Sequence, residues 1–175
     1  MSGHNKWSKI KRQKEKTDAQ KSKIFGKLVQ NISFEAKKAN GNTSSPGLRA
    51  AIDTAKAANV PADNIERAIK KASETASNLE SVVYESYGPG GAALVIVALT
   101  SNTNKAAQEI KHILSEHGSA LAGIGAATWV FEKTLEGWDP KTTIPISEED
   151  GTKLEALINE LEENDEVQEV FTNAE

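Results

Sequence analysis

The chain contains no cysteine among its 175 residues, which excludes disulfide scaffolds, cysteine-ligated zinc, iron–sulfur clusters and cysteine nucleophiles. Hydrophobic residues make up 38% of the chain and aromatic residues only 5%, a composition that supports modest cores rather than one large core. The longest apolar run, residues 92–99, has the length of a strand and is far shorter than the ~20 residues of a membrane-spanning helix. The basic N-terminus is not followed by the apolar segment of a secretory signal. We therefore expect a soluble, cytoplasmic protein that does not associate with membranes.

Charge divides the sequence into two halves. Residues 1–78 hold 16 lysines and arginines against 7 aspartates and glutamates, a balance of +9, whereas residues 79–175 hold 5 against 18, a balance of −13. Ordinary solvated surfaces are one explanation. The division nevertheless favours two units with different partners, of which the basic half suits a polyanion. We expect a basic helical domain with an extended N-terminal arm over residues 1–78, and an acidic domain over residues 79–175.

Three helices are predicted in the basic half. Thr17 and Gln20 form a capping box before the first helix, and Asn40-Gly41 ends that helix. Ser45-Pro46 begins the second helix and Pro61 the third. The apolar positions expected to face inward are Ile24, Phe25, Leu28, Ile32, Ala36, Leu48, Ala51, Ile52, Ala55, Ile65, Ala68 and Ile69. Few of these side chains are large, so the bundle is expected to be small.

The acidic half alternates strands and helices. Strands are predicted over residues 82–87, 92–99, 126–132, 142–146 and 167–171, and helices over residues 103–116 and from Ser147 onward. Apart from the first edge strand, the order is βαββαβ, which is typical of the ferredoxin-like arrangement of two helices on an antiparallel sheet. The predicted fold class is α+β, a three-helix domain followed by a ferredoxin-like domain with an extra N-terminal edge strand.

The N-terminal arm concentrates the positive charge and is the candidate nucleic-acid interface. Residues 1–16 have no apolar face, so we expect the arm to become ordered only when a partner neutralises it. If the arm contacts about five phosphates, raising the salt from 50 to 200 mM would weaken binding about 500-fold. The alternative is a solvated tail, which is less favoured because the positive charge continues along the first helix. The candidate residues are His4, Lys6, Trp7, Lys9, Lys11, Arg12, Lys14, Lys16, Lys21, Lys23 and Lys27.

Trp7 has two interpretations within this arm. It can stack on an unpaired base, or it can anchor the arm to the helical bundle. The anchor is favoured slightly because the bundle has few large apolar residues. His4 adds a donor for phosphate.

A glycine-rich turn follows the first predicted strand. Residues 88–91 lack the lysine and hydroxyl residue of a phosphate-binding loop and lead into a strand, so they are interpreted as a hairpin turn. The odd spacing of the tyrosines before the turn places them on opposite faces of the strand, with at least one partly exposed. We predict that this hairpin and the acidic face bind a protein or ribosomal partner. The hairpin candidates are Tyr84, Tyr87, Gly88, Pro89, Gly90 and Gly91.

The sequence contains no convincing catalytic or metal-binding set. His112 and His117 lie five residues apart on a helix, which is the wrong spacing for shared metal ligation. The acidic residues at 160–166 form a charge run at a helix end, either a solvated surface or a site for a basic protein. Glu15 and Asp18 are the only carboxylates near the basic arm, too few for a nuclease. We expect a non-enzyme without metal or cofactor.

Several motifs resemble the YebC family of bacterial regulators, which includes the mitochondrial translational activator of cytochrome oxidase. The most specific match is residues 84–91, Tyr-Glu-Ser-Tyr-Gly-Pro-Gly-Gly. The others are residues 3–11, 48–52, 59–65, 67–71, 129–133 and 165–175, so the resemblance covers nearly the whole chain. Asn5 and Ser86 depart mildly from the family pattern. After Lys133, residues 134–141 replace a further small domain that the family carries at this position.

The resemblance implies a cytoplasmic, cofactor-free regulator of gene expression. Members are commonly described as DNA-binding transcriptional regulators, and others are implicated in translation as ribosome-associated factors that help elongation through difficult sequences such as proline runs. Both functions agree with an extended basic arm that contacts the nucleic-acid backbone and reads few bases. The expected partner is therefore DNA or ribosomal RNA, with a protein–protein adaptor as a further alternative. The sequence leaves the oligomeric state open.

Overall fold

The structure is a computed structural model that describes residues 17–74 and 78–175. The chain divides into two compact units, a helical unit that ends at Leu79 and a second unit that runs from Glu80 to Glu175. Among the described residues, no helix has the length and apolar character needed to cross a bilayer. Each unit has its own hydrophobic core.

The helical unit contains three helices, α1 (Asp18–Lys38), α2 (Pro46–Ala57) and α3 (Ala62–Glu74). The predicted capping box is present: the Gln20 N–H donates to Thr17 Oγ1 at 3.2 Å, and the Thr17 N–H donates to Gln20 Oε1 at 2.9 Å. After α1, Asn40 and Gly41 adopt positive φ, and the Gly41 N–H reaches back to the Ala36 carbonyl at 2.8 Å. The predicted end of this helix is confirmed, because these bonds satisfy carbonyls that the helix leaves unpaired.

The core of the helical unit is built largely from small side chains. The large residues at its centre are Ile32, Leu48 and Ile65, and alanines such as Ala55 and Ala68 fill most of the remaining contacts. Phe25, Leu28, Ile52 and Ile69 are half-buried at its edge. Alanine brings the helix backbones close together but buries little apolar area, so this core contributes modest stability for its size.

The second unit is organised around β2 (Ala93–Thr100). This strand pairs antiparallel with β1 (Glu80–Tyr87) on one edge and with β5 (Val167–Thr172) on the other. Helices α4 (Thr103–Glu116) and α5 (Glu148–Glu163) cover one face of the sheet, where their leucines and isoleucines pack on Leu94 and Ile96. The opposite face, which carries Val95, is also covered. Coverage on both faces explains why β2 is almost continuously apolar. The α+β class is confirmed.

Two predicted strands differ from the structure. Residues 126–132 do not join the sheet, because β1 and β5 already occupy both edges of β2. They form a turn, a short 3-10 helix (Thr128–Val130) and the start of β3 (Phe131–Lys133). They lie across the second face of the sheet through Ala127, Val130 and Phe131. Residues 142–146 make a single bridge, between Ile144 and Ala174, instead of a strand. The described sheet around β2 therefore has three strands.

In the chain, β3 and β4 (Trp138–Pro140) form a two-stranded hairpin between the segment that covers the second face of the sheet and helix α5. The Thr134 N–H donates to the Gly137 carbonyl at 2.8 Å and closes its turn. Gly137 has a φ of +143°, and a Cβ at this position would lie 2.3 Å from the Phe171 ring. Glycine here lets the hairpin backbone approach the ring closely.

Candidate functional surfaces

Most of the predicted nucleic-acid interface lies outside the described residues. This applies to His4, Lys6, Trp7, Lys9, Lys11, Arg12, Lys14 and Lys16. The structure places the other three candidates on α1, where Lys21 is exposed and Lys23 and Lys27 are half-buried. At about 100° per residue, Lys23 and Lys27 lie one turn apart on the side of α1 opposite Ile32, and Lys21 projects from a different side. The structure therefore brings together two of the three.

The same side of α1 carries two further cations that the sequence-based prediction did not include. Lys37 and Lys38 lie within about 60° of Lys23 around the helix and about 21–23 Å along it. Lys37 and Lys38 also stand in the last turn of α1, where cations interact favourably with the helix dipole. The described part of α1 thus continues the positive charge of the arm along one side of the helix.

The two tyrosines of the predicted hairpin lie on opposite faces of β1, as their spacing predicts. Tyr84 is opposite Ile96 in the register and packs against the core beneath the helices. Its hydroxyl donates to the Thr103 carbonyl at 3.1 Å. Burial raises the pKa of the Tyr84 phenol, and the negative charge of Glu166 raises this pKa further. Tyr84 is therefore a neutral hydrogen-bond donor that joins β1 to α4.

The glycine turn at residues 88–91 packs against other parts of the same unit. A Cβ added at Gly88 would lie 3.2 Å from the side chains of Leu94 and Leu154, and one at Gly90 would lie 2.8 Å from Ile146. Gly90 also has a φ of +73°. This close packing agrees with a structural hairpin turn. Pro89 is half-buried, whereas Gly90 and Gly91 are exposed.

Tyr87 forms an exposed pair with Trp129, which the hairpin prediction did not include. Its side chain is 40% exposed, and its hydroxyl donates to the Ala126 carbonyl at 2.5 Å. Trp129, which is 65% exposed, donates from Nε1 to the same carbonyl at 3.0 Å. Ile124, two residues before Ala126, is fully exposed. We call Tyr87, Ile124 and Trp129 the aromatic surface.

A buried carboxylate holds the loop beneath this surface. Glu85 points to the same face of β1 as Tyr87 and is only 5% exposed. One carboxylate oxygen accepts the Gly125 N–H at 2.7 Å, and the other accepts the N–H groups of Ala127 and Thr128 at 3.0 and 2.6 Å. The Ala122 N–H donates to the Glu85 carbonyl at 2.8 Å. One residue therefore fixes the backbone of the loop on both sides of Ile124.

These hydrogen bonds determine the charge state of Glu85. Burial on its own raises the pKa of the carboxyl, but the N–H groups of Thr128, Gly125 and Ala127 outweigh that effect and hold the pKa below its ordinary value. Glu85 is thus a buried anion that is satisfied by backbone donors. In the sequence Glu85 resembles any solvent-facing residue of an edge strand, so no pattern along β1 indicates its role.

The segment that contains the loop carries no ionisable side chain. From Gly118 to Phe131, fourteen consecutive residues are uncharged in a chain in which 26% of the residues are charged. Exposed loops are normally rich in charge, because charged side chains keep a surface hydrated. An uncharged exposed loop with a large aromatic side chain indicates a surface that can be covered without desolvating charge.

The described residues contain no group of three or more potential metal ligands close enough to hold an ion. His117 contacts Glu160 at 2.5 Å, and His112 contacts Glu116 at 3.3 Å. The two histidines therefore have separate partners: His112 lies within α4, and His117 is the residue that ends it.

Comparisons with known proteins cover both units. A family model described as the TACO1/YebC protein N-terminal domain matches residues 5–75, and one described as the TACO1/YebC second and third domain matches residues 79–136 and 135–174. A probable transcriptional regulatory protein of Thermoanaerobacter pseudethanolicus is 38% identical over 100% of this chain and 97% of its own length. One from Thermotoga maritima is 44% identical over 90% of this chain and 61% of its own length. The crystal structure of a conserved hypothetical protein from Aquifex aeolicus superimposes with a TM-score of 0.80 and 31% identity, over 95% of each chain.

The comparisons also locate a segment that the relatives have and this chain lacks. The alignment with the Thermoanaerobacter protein extends over 240 positions, whereas this chain has 175 residues. The match to the second family model breaks at residues 135–136, in the turn of the β3–β4 hairpin. This agrees with the expected deletion after Lys133. The core of the second unit contains residues from both sides of the break, so the residues that flank the missing segment pack into one core.

Proposed function

This chain belongs to the TACO1/YebC family, and on that premise we propose that it is a non-enzymatic, cofactor-free regulator of gene expression that binds nucleic acid in the cytoplasm. The observation that carries the proposal is the division of charge, +9 in residues 1–78 against −13 in the remainder. A polyanion gains binding energy from the first half, through counterion release, and is repelled by the second. Relatives named probable transcriptional regulatory proteins make DNA the first candidate.

The proposed contacts are mainly to phosphate. Lys6, Lys9, Lys11, Arg12, Lys14, Lys16, Lys21, Lys23 and Lys27 supply the charge, and His4 and Trp7 order the arm. Lys23 and Lys27 support this proposal because they extend the charge of the arm along one side of α1. Phosphate contacts position a protein but carry little sequence information, so we expect weak sequence preference.

The first test changes charge in the arm and compares it with the same change elsewhere. Replacing Lys9, Lys11, Arg12 and Lys14 with alanine should abolish binding to duplex DNA at near-physiological salt, measured by fluorescence anisotropy. The matched control replaces Arg49, Lys56, Lys70 and Lys71, four exposed cations of the helical unit, and removes the same total charge. Equal loss in both variants would show that only total charge matters, and unchanged affinity in the arm variant would refute the arm interface.

The second candidate function is ribosome- or RNA-associated regulation of translation. An arm that reads backbone serves structured RNA as well as DNA, because both present phosphates. A paired titration with 70S ribosomes and promoter-length duplex DNA, each at 50 and 200 mM salt, separates the two. Salt-resistant saturation of ribosomes, with DNA binding lost at the higher salt, would establish the translation function. Sequence-dependent DNA binding without ribosome association would establish the transcription function.

A further inference from the structure

The aromatic surface has the features of a binding site rather than of an ordinary exposed loop. Trp129 and Tyr87 are large, exposed and adjacent, since Trp129 Nε1 lies 3.3 Å from the Tyr87 hydroxyl. Exposed tryptophan and tyrosine are the side chains that most often dominate the energy of protein interfaces. Both of them use their polar atoms on the Ala126 carbonyl of the same loop, so what they offer a partner is mainly apolar area.

The loop that carries this surface is held in place before any partner arrives. The Glu85 carboxylate accepts hydrogen bonds from the N–H groups of Gly125, Ala127 and Thr128 at 2.6–3.0 Å. On the other side of the loop, the Ser86 hydroxyl donates to the Ala120 carbonyl at 2.8 Å. Preorganisation of this kind reduces the conformational entropy that is lost on binding. A buried glutamate is thus used to fix a loop whose tip is apolar.

The net charge of the second unit indicates which kind of partner the aromatic surface can bind. Residues 79–175 carry a net charge of −13, and residues 118–131 supply no cation of their own, so nucleic acid is disfavoured at this surface. Lys141, whose backbone N–H donates to the Val130 carbonyl at 2.8 Å, is a single cation against that negative balance. A second copy that met this surface with its own acidic unit would bring like charge to the interface and is disfavoured by repulsion. A different protein, apolar at the centre of its contact face and basic at its rim, suits both the uncharged loop and the net negative charge of the unit.

We propose that Tyr87, Ile124 and Trp129 form a docking site for a partner protein of that chemistry, with Glu85 as its positioning residue. The site offers apolar contacts, whereas the basic arm offers charge, so separate variants can test the two. It also modifies the predicted partner-binding hairpin: Tyr87 remains in the site, Tyr84 and the glycine turn support the fold, and Ile124 and Trp129 are added. The sequence signal that could have indicated the two additions is the uncharged run around them.

The test begins with the full chain in its own cells, with the photoreactive amino acid p-benzoylphenylalanine in place of Ile124. The crosslinked protein is identified by mass spectrometry, purified and titrated directly against the full chain. The expected result is a heterologous crosslink and direct binding that Trp129→Ala weakens about 30-fold or more, as for a residue at the centre of an interface. Crosslinks only to nucleic acid, only to a second copy, or to nothing would refute the proposal.

A matched pair of variants protects this test from effects on folding. Ile124→Asp places a charge in the site at a fully exposed position, whereas Leu135→Asp makes the same change at another exposed hydrophobic residue of the unit, 69% exposed in the β3–β4 turn. We expect Ile124→Asp to weaken binding of the purified partner at least 10-fold and Leu135→Asp to leave it unchanged. Equal effects of the two variants, or no effect of Ile124→Asp, would overturn the assignment. DNA affinity should be the same in both.

Discussion

Replacing Glu85 with glutamine tests how the loop beneath the aromatic surface is held in place. In the better of its two orientations, the amide oxygen still accepts from Ala127 and Thr128, but the NH2 group faces the Gly125 N–H. One hydrogen bond to a charged group, about 1.5–3 kcal/mol, is lost, and the other two lose their charge assistance. Because the glutamine side chain is uncharged, the cost of burying a charge disappears, and this offsets part of the loss in stability. We expect the free energy of unfolding of this unit to fall by about 3 kcal/mol at pH 7.

The pH dependence of this difference provides a sharper check. Because the pKa of Glu85 is lower in the folded chain than its ordinary value of 4.5, the stabilisation by the carboxylate is complete only well above pH 4.5. It declines as the pH falls below 4.5 towards the folded pKa. The difference between wild type and Glu85→Gln should therefore be constant from pH 7 to about 5.5 and narrow in more acidic solution.

Denaturant unfolding across this pH range, together with hydrogen exchange at Gly125, Ala127 and Thr128, measures both effects. Hydrogen exchange assigns the change to the loop, which matters because a two-unit chain need not unfold in one step. Glu132→Gln is the control: Glu132 is exposed on the same unit, so we expect a change within about 0.5 kcal/mol. A difference that stays the same at pH 3.5 and pH 7, or unchanged exchange in the loop, would refute the role of the carboxylate.

Three further substitutions test the supports of the two units. Thr17→Ala removes the capping box and should cost about 1 kcal/mol, seen as faster hydrogen exchange in the first turn of α1; unchanged exchange would contradict the cap. Asn173→Ala leaves the buried Ala93 N–H without its acceptor, which lies at 2.8 Å, and should lower the free energy of unfolding by about 1–3 kcal/mol in denaturant unfolding. No loss would mean that a water molecule replaces the acceptor. Leu154→Ala opens a cavity beneath α5 and should cost about 3–4 kcal/mol; a loss below 1 kcal/mol would show that the core collapses around it.

The two proposals describe a chain with different partners for its two halves. The basic arm and α1 would bind a nucleic-acid backbone, and the aromatic surface of the acidic unit would bind a protein. Because the two sites use different chemistry, they can be removed independently. The arm variant should lose affinity for DNA or ribosomes and keep its affinity for the partner protein. Trp129→Ala should lose affinity for the partner protein and keep its affinity for DNA or ribosomes, and the two results together would demonstrate that independence.

Much of the helical unit and the centre of the sheet was predictable because the deciding interactions are local. Thr17 and Gln20 are three residues apart and cap α1 without help from the rest of the chain. The positive φ of Gly41 follows from its missing Cβ, and the apolar run of β2 reflects burial on both faces. The opposite faces of Tyr84 and Tyr87 follow from the two-residue period of a strand.

The placement of residues 126–132 required the tertiary structure. Their pattern suits a strand, and the apolar side chains Val130 and Phe131 are both buried in the cluster on the second face of the sheet. Whether they pair with β2 depends on whether an edge of β2 is free, and that is decided by residues 80–87 and 167–172, far away in the sequence. A local pattern specifies what must be buried, but it does not specify which partner covers it.

The sequence by itself determined the family, the α+β class, the division of charge and the local helix signals, since each depends on composition or on residues close together in the chain. The tertiary structure alone decided that Glu85 is a buried anion, because the N–H groups that stabilise it lie some forty residues further on. It also decided that Trp129, a residue type usually buried, stands exposed beside Tyr87. Both depend on how a loop folds back over one strand, and that energy arises only when distant segments meet.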